Sequence, residues 1–125
     1  MSLTSLYTIQ NLIKTDEGFT ARISFNPSHP VFDGHFPEQP VVPGVFLIRI
    51  IKDVVGSVAG GKFVLKFGSN IKFLNVIDPH KHPEADLKGT FSIAEDGQYT
   101  VQANISKEDL TFFKFKGSFQ TFRTI

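Results

Sequence analysis

One stretch constrains the fold more than any other. From Gly44 to about Ala59, apolar residues (Val45, Phe46, Leu47, Ile48, Ile50, Ile51, Val54, Val55 and Val58) cover most of a helical surface. Among the remaining positions, Arg49, Lys52, Asp53 and Gly56 recur at i, i+3, i+4 and i+7, a single narrow stripe. A helix that is apolar on nearly all sides must be wrapped by other structure rather than laid on a surface. Pro43 stands where such a helix begins, a position that tolerates proline, and Gly60-Gly61 ends it.

The wrapping material reads as β-strand. Tyr7, Ile9 and Ile13, then Phe19, Ala21, Ile23 and Phe25, alternate at period two around Asp16-Glu17-Gly18, which predicts a hairpin with Gly18 at positive φ. Phe63, Leu65, Phe67, Ile71 and Phe73 form a further run, which Gly68-Ser69 is placed to bulge. Leu87 to Ala94 and Gln98 to Ile105 make a second hairpin around Glu95-Asp96-Gly97. Thr111 to Thr121 closes the pattern, with Phe113, Phe115 and Phe119 on one face and Lys114, Lys116 and Gln120 on the other. Asn26 to Pro43 holds five prolines, so it is expected to be an ordered loop, neither helix nor central strand. The expectation is one α+β domain over residues 1–125, an antiparallel sheet of about six strands curled around one long central helix.

Composition removes several function classes. The chain has no cysteine, so disulfides, thiolate metal sites and a cysteine nucleophile are excluded. Its net charge of +1 gives no bias toward nucleic acid. Met1 to Ile13 does not have the pattern of a signal peptide, and no stretch reaches the roughly 18 to 20 apolar residues of a membrane helix. A cytoplasmic protein without membrane or nucleic-acid partners is expected. The aromatic residues, 14 Phe with 2 Tyr and no Trp, imply a greasy interior or interface.

The loop and helix start read His29-Pro-Val-Phe-Asp-Gly-His35-Phe-Pro-Glu-Gln-Pro-Val-Val-Pro43-Gly44-Val45. This resembles the signature of bacterial 3-hydroxyacyl-acyl carrier protein dehydratases, where a Gly-His-Phe-Pro element precedes a Pro-Gly-Val helix start. Ile71-Lys72-Phe73-Leu74 through Pro79 is similar to the family's later strand and loop. The resemblance implies a hotdog fold and dehydration of 3-hydroxyacyl thioesters in fatty acid or lipid biosynthesis. It also implies a homodimer, or a mixed dimer with another hotdog protein. The implied partner is acyl carrier protein bearing a phosphopantetheine-linked acyl chain, with no further cofactor. It makes His35 the base, a role that suits an imidazole titrating near neutrality. The backbone N–H groups at Gly44 and Val45 suit the thioester oxygen, and Phe36 becomes a candidate for lining the acyl site.

One position departs from the family. Fourteen residues after the histidine, where the family has a glutamate or aspartate on the helix, this chain has Arg49. A guanidinium hydrogen-bonds a hydroxyl or binds an anionic group, but it does not hand over a proton. Asp53, one turn on, is the nearest replacement acid; its plain reading is an i, i+4 pair with Arg49. Glu38 is a further carboxylate, read as loop surface. The alternatives to a working dehydratase are therefore an impaired partner subunit or acyl-thioester binding protein and, behind these, a thioesterase using Asp53 or Glu38.

Other residues have plainer readings. His29 serves the geometry of the loop, and Phe32 packs it against the core. Asp78, His80 and His82 have ligand chemistry but sit in a solvated loop with no further ligand nearby, so no metal is expected. Lysines 62, 66, 72, 114 and 116 alternate with apolar residues as on a solvated sheet face, or as a docking surface for an acidic carrier protein.

Overall fold

A computed structural model describes residues 6–34 and 41–121, the side chains of 33 and 34 aside. Strands β1 (Tyr7–Lys14) and β2 (Gly18–Phe25) are followed by a one-turn helix α1 (Val31–Gly34) and the long helix α2 (Gly44–Ala59). Strands β3 (Phe63–Phe73), β4 (Glu84–Ile93), β5 (Tyr99–Lys107) and β6 (Leu110–Thr121) complete the order. The six strands form one antiparallel sheet in the order β1-β2-β4-β5-β6-β3. This sheet with α2 against its inner face is the α+β hotdog arrangement. No helix among the described residues is long and apolar enough to cross a membrane.

Helix α2 has the bounds that its apolar pattern predicts. It closes on Gly60, which adopts φ 76° and ψ 57°, and the N–H groups of Gly60 and Gly61 both reach the Gly56 carbonyl. Leu47, Ile50, Ile51, Val54 and Val55 are buried against the sheet, each worth about 1.5–3 kcal/mol relative to exposure. The wrapping is one-sided, however. Val45 is 67% exposed and Phe46, Ile48 and Val58 are only half-buried. The expectation of a helix covered nearly all round is therefore corrected: a second flank of α2 faces outward.

The inner face of β6 is a column of rings. Phe113 lies 6.3 Å from Phe115, and Phe115 lies 5.7 Å from Phe119, between ring centres. All three are buried, as the alternation predicts. Phe112, on the other phase, is buried as well; the His82 ring meets it edge-on at 5.1 Å.

Three local expectations are revised. Gly18 is not among the positive-φ glycines, which are Gly60 and Gly97. The turn is closed instead by Thr15, whose N–H donates to the Gly18 carbonyl at 2.9 Å and whose Oγ1 accepts from Gly18 N–H at 3.0 Å. Glycine is needed at 18 because a Cβ would collide with the Gly89 carbonyl on β4. The proline segment does contain a helix, the single turn α1. The Nδ1 atom of His29 accepts the Val31 N–H at 3.0 Å, supplying the cap that lets one turn form after Pro30. Finally, β3 is irregular at Leu65/Phe67 as well as at Gly68/Asn70. Leu65 pairs with inward Phe119 whereas Phe67 pairs with Ser118, so the extra residue turns Phe67 to the outer face, 65% exposed.

Candidate functional site

The first turn of α2 is positioned from both sides. Val42 N–H donates to the Ile77 carbonyl at 2.8 Å, tying the lead-in segment to the loop after β3. Pro43 then sits at the N-cap with φ −61° and ψ 141°; it offers no side-chain cap, and the first turn carries no acidic residue. The partial positive charge at this end is therefore not neutralised from within the helix.

Gly44 allows a close approach that other residues would block. A Cβ there would stand 2.7 Å from Cε1 of Phe73, the ring at the end of edge strand β3. Phe73 in turn stacks on Phe113 with 5.1 Å between ring centres. Around this helix end, Val45, Phe73, Leu74 and Val76 are all exposed, with Val76 at 71%. The arrangement pairs open backbone donors with an apolar rim, the combination a polar head on an acyl chain requires. His35, Phe36 and Glu38 lie outside the described residues.

One turn further, Arg49 is exposed on the outward stripe. Among the described residues the ion pairs are those of Arg22 with Glu84 and Asp86, at 3.6 and 3.2 Å. The expected Arg49–Asp53 pair is therefore replaced. Asp53 accepts a hydrogen bond from the Tyr7 hydroxyl, which reaches it from β1. Sequence reasoning missed Tyr7 as a site residue. The signal was its inward phase in the alternation, because a phenol turned inward needs a partner for its hydroxyl. Asp53 also borders an open cleft of about 660 Å³ that runs between the second half of α2 and the start of β3, past Gly56, Ser57, Lys62 and Phe63.

Burial, then the hydrogen bond to Asp53 and its negative charge, hold the Tyr7 phenol well above its ordinary value; nearby Arg49 opposes them. The folded chain thus holds this proton more tightly than the unfolded chain does. The stability it contributes is complete below about pH 10 and is lost as pH rises from there toward the folded-state value. Urea midpoints measured at about pH 9 and 11 are expected to fall further in the wild type than in Tyr7→Phe. An equal fall in both would show that Tyr7 does not carry this pH dependence.

The remaining ligand-type residues are occupied locally. Asp78 Oδ1 accepts the His80 N–H at 2.9 Å, shaping the loop, and His82 packs on Phe112. No group of three metal-ligating side chains converges among the described residues.

The model of the ApeI-like family, described as ApeI dehydratase, matches residues 11–111. The chain belongs to the ApeI-like dehydratase family. Among curated relatives, a 3-hydroxyacyl-acyl-carrier-protein dehydratase FabZ from Sinorhizobium fredii is 39% identical over 51 residues. That match covers 41% of this chain and 32% of the relative, so it spans about a third of that protein. The FabZ of Coxiella burnetii (strain RSA 331) is 27% identical over 110 residues, 84% of this chain and 70% of the relative. In structure, the family's fold recurs in the dehydratase heterocomplex ApeI:P from Xenorhabdus doucetiae. There the TM-score is 0.65 at 18% identity, over 90% of this chain and 96% of that one.

Proposed function

We propose that the chain removes water from 3-hydroxyacyl thioesters on acyl carrier protein, giving trans-2-enoyl thioesters, with His35 as the base. The observation that carries this reading is the open N-terminus of α2 under an apolar rim, in a chain of a dehydratase family. His35 takes the proton from the carbon next to the thioester carbonyl. Backbone N–H groups at Gly44 and Val45 receive the charge that builds on the thioester oxygen, and Phe36 lines the acyl chain.

The departing hydroxyl needs a proton to leave as water. Arg49 orients it by hydrogen bonding without supplying that proton, and Asp53 is engaged by Tyr7. The balance closes if the imidazolium formed on His35 returns the proton it has just taken. It also closes if a carboxylate arrives from a second subunit.

The second route makes this chain one member of a mixed hotdog pair, which needs a surface open to a second subunit. Strand β3 is an eleven-residue sheet edge with exposed Phe67 and Phe73, beside the outward flank of α2. An unpaired edge of this length is a template for another strand, whether from a second copy or from another hotdog protein. The X. doucetiae relative in structure is itself a heterocomplex.

The test is hydration of a short trans-2-enoyl thioester on acyl carrier protein. Wild type and Arg49→Glu are assayed, each alone and mixed with a carboxylate-bearing hotdog homologue. Turnover is expected in the wild type, alone or in the mixture, and Arg49→Glu is expected to gain about 10²-fold or more where an acid was lacking. Silence in all four samples, or release of free thiol instead of hydration, would overturn the reading.

A further inference from the structure

The outer face of the sheet carries charge that the reaction does not use. Lys72 on β3 is directly opposite Lys114 on β6, Lys114 is opposite Asn104 on β5, and Asn104 is opposite Lys88 on β4. A parallel row runs Asn70, Lys116, Gln102, Thr90 across the same four strands. Between the rows, Ile71, Phe115, Ala103 and Gly89 turn inward, so backbone forms the floor of a trough of about 340 Å³. Neighbouring strands are about 4.8 Å apart, and alternate residues along a strand about 7 Å apart. Four ammonium groups therefore share a patch about 15 Å across.

No ion pair among the described residues involves them. Strands β3, β5 and β6 contain no Asp or Glu, and the two carboxylates of β4, Glu84 and Asp86, are both engaged by Arg22. Like charges directly opposite on paired strands destabilise the pair. Lys72 against Lys114 is thus an arrangement that folding disfavours and an acidic surface would relieve. A second copy would bring the same positive face, so back-to-back packing of this chain does not fit.

The patch also abuts the candidate site. Lys72 immediately precedes Phe73, the ring over Gly44, and the loop that follows is bonded to Val42 at the start of α2. Beyond Lys116 on the same face, exposed Phe67 opposite Ser118 offers an apolar contact at the rim.

We infer that this outer sheet face, with Lys72, Lys88, Lys114 and Lys116 as its charges, is where the acidic protein that carries the acyl thioester docks. It passes its tethered chain around the end of β3 to the first turn of α2. The inference rests on the proposed dehydration for its choice of partner. Charge of one sign on a docking face speeds encounter and makes it salt-sensitive.

Binding is read first, because it does not depend on turnover. Fluorescently labelled apo acyl carrier protein is titrated with the full chain and with Lys114→Glu/Lys116→Glu. The first of these changes gives Lys72 an opposite charge across the strand pair, so the fold is expected to persist, which circular dichroism checks. Binding is expected to weaken at least about tenfold in the variant and to lose most of its salt dependence. Equal binding by both proteins, or no binding by the wild type at low salt, overturns the inference. So does lysine-dependent binding to vesicles of anionic phospholipid without binding to the carrier, which would make the face a lipid contact.

Turnover then separates this inference from the function. The ratio of kcat/KM on the carrier-linked enoyl thioester to kcat/KM on its N-acetylcysteamine analogue is expected to fall at least about tenfold in the variant. A wild type that binds the carrier yet hydrates neither substrate would sink the dehydratase reading and leave the docking face standing.

Discussion

Alanine in place of His35 is expected to remove hydration of the trans-2-enoyl thioester by about 10²- to 10⁴-fold, the range for losing a positioned acid–base group. The unfolding midpoint should stay that of the wild type. The expectation is sharper here than in a relative with a helix carboxylate. With Arg49 in that place, the proposed mechanism asks one imidazole both to take the proton from carbon and to return one to oxygen. If a partner supplies the acid, His35→Ala should silence the mixed complex just as fully. Hydration that persists unchanged after the substitution would exclude His35 as the base, whatever else the chain does. The readout is the initial rate of disappearance of the conjugated enoyl thioester, with near-ultraviolet circular dichroism confirming that tertiary packing is intact.

The largest effect on stability is expected from Phe119→Ala. Phe119 is fully buried and ends the ring column of β6, in register with Leu65 on β3 and Tyr99 on β5. Removing the ring deletes contacts to both neighbouring strands and leaves a cavity, a loss of about 3–5 kcal/mol in comparable cores. Folded domains hold a margin of only about 5–15 kcal/mol, so the variant should unfold at much lower urea, with m little changed. Phe67→Ala is the contrast: its ring lies on the outer face, and the change is expected to stay within about 0.5 kcal/mol. Similar shifts for the two would mean that β3 is not bulged as described.

What the sequence revealed and what it hid divide along a physical line. The bounds of α2, the αL glycine at 60, the Glu95-Asp96-Gly97 turn and the inward phase of Phe113, Phe115 and Phe119 all follow from local periodicity and backbone preference. These act within a few residues of each other. Gly18 was misread because its glycine answers to Gly89 on another strand, not to its own turn. Phe67 changed faces through a bulge whose position depends on pairing with β6. Tyr7 and Asp53 are 46 residues apart, so nothing local couples them. Lys88 joined Lys72, Lys114 and Lys116 only once the register of four strands was known, whereas Lys62 and Lys66 fell outside that cluster. At the candidate site, the helix start alone points to the free N–H groups of Gly44 and Val45, whereas the roles proposed for His35 and Arg49 rest on the family resemblance.

The sheet order has a consequence for how the chain is made. β3 leaves the ribosome directly after α2, yet its hydrogen-bonding partner within the chain is β6, the last of the six described strands in chain order. From the end of β3 at Phe73 until β6 begins at Leu110, the nascent domain therefore holds a long edge strand with no mate, next to a helix whose outer flank is bare. Such an intermediate is vulnerable to aggregation. A second hotdog subunit present at that moment, if the chain pairs as proposed, would meet the edge it is to cover, so the soluble yield of this chain should rise when its mate is made alongside it.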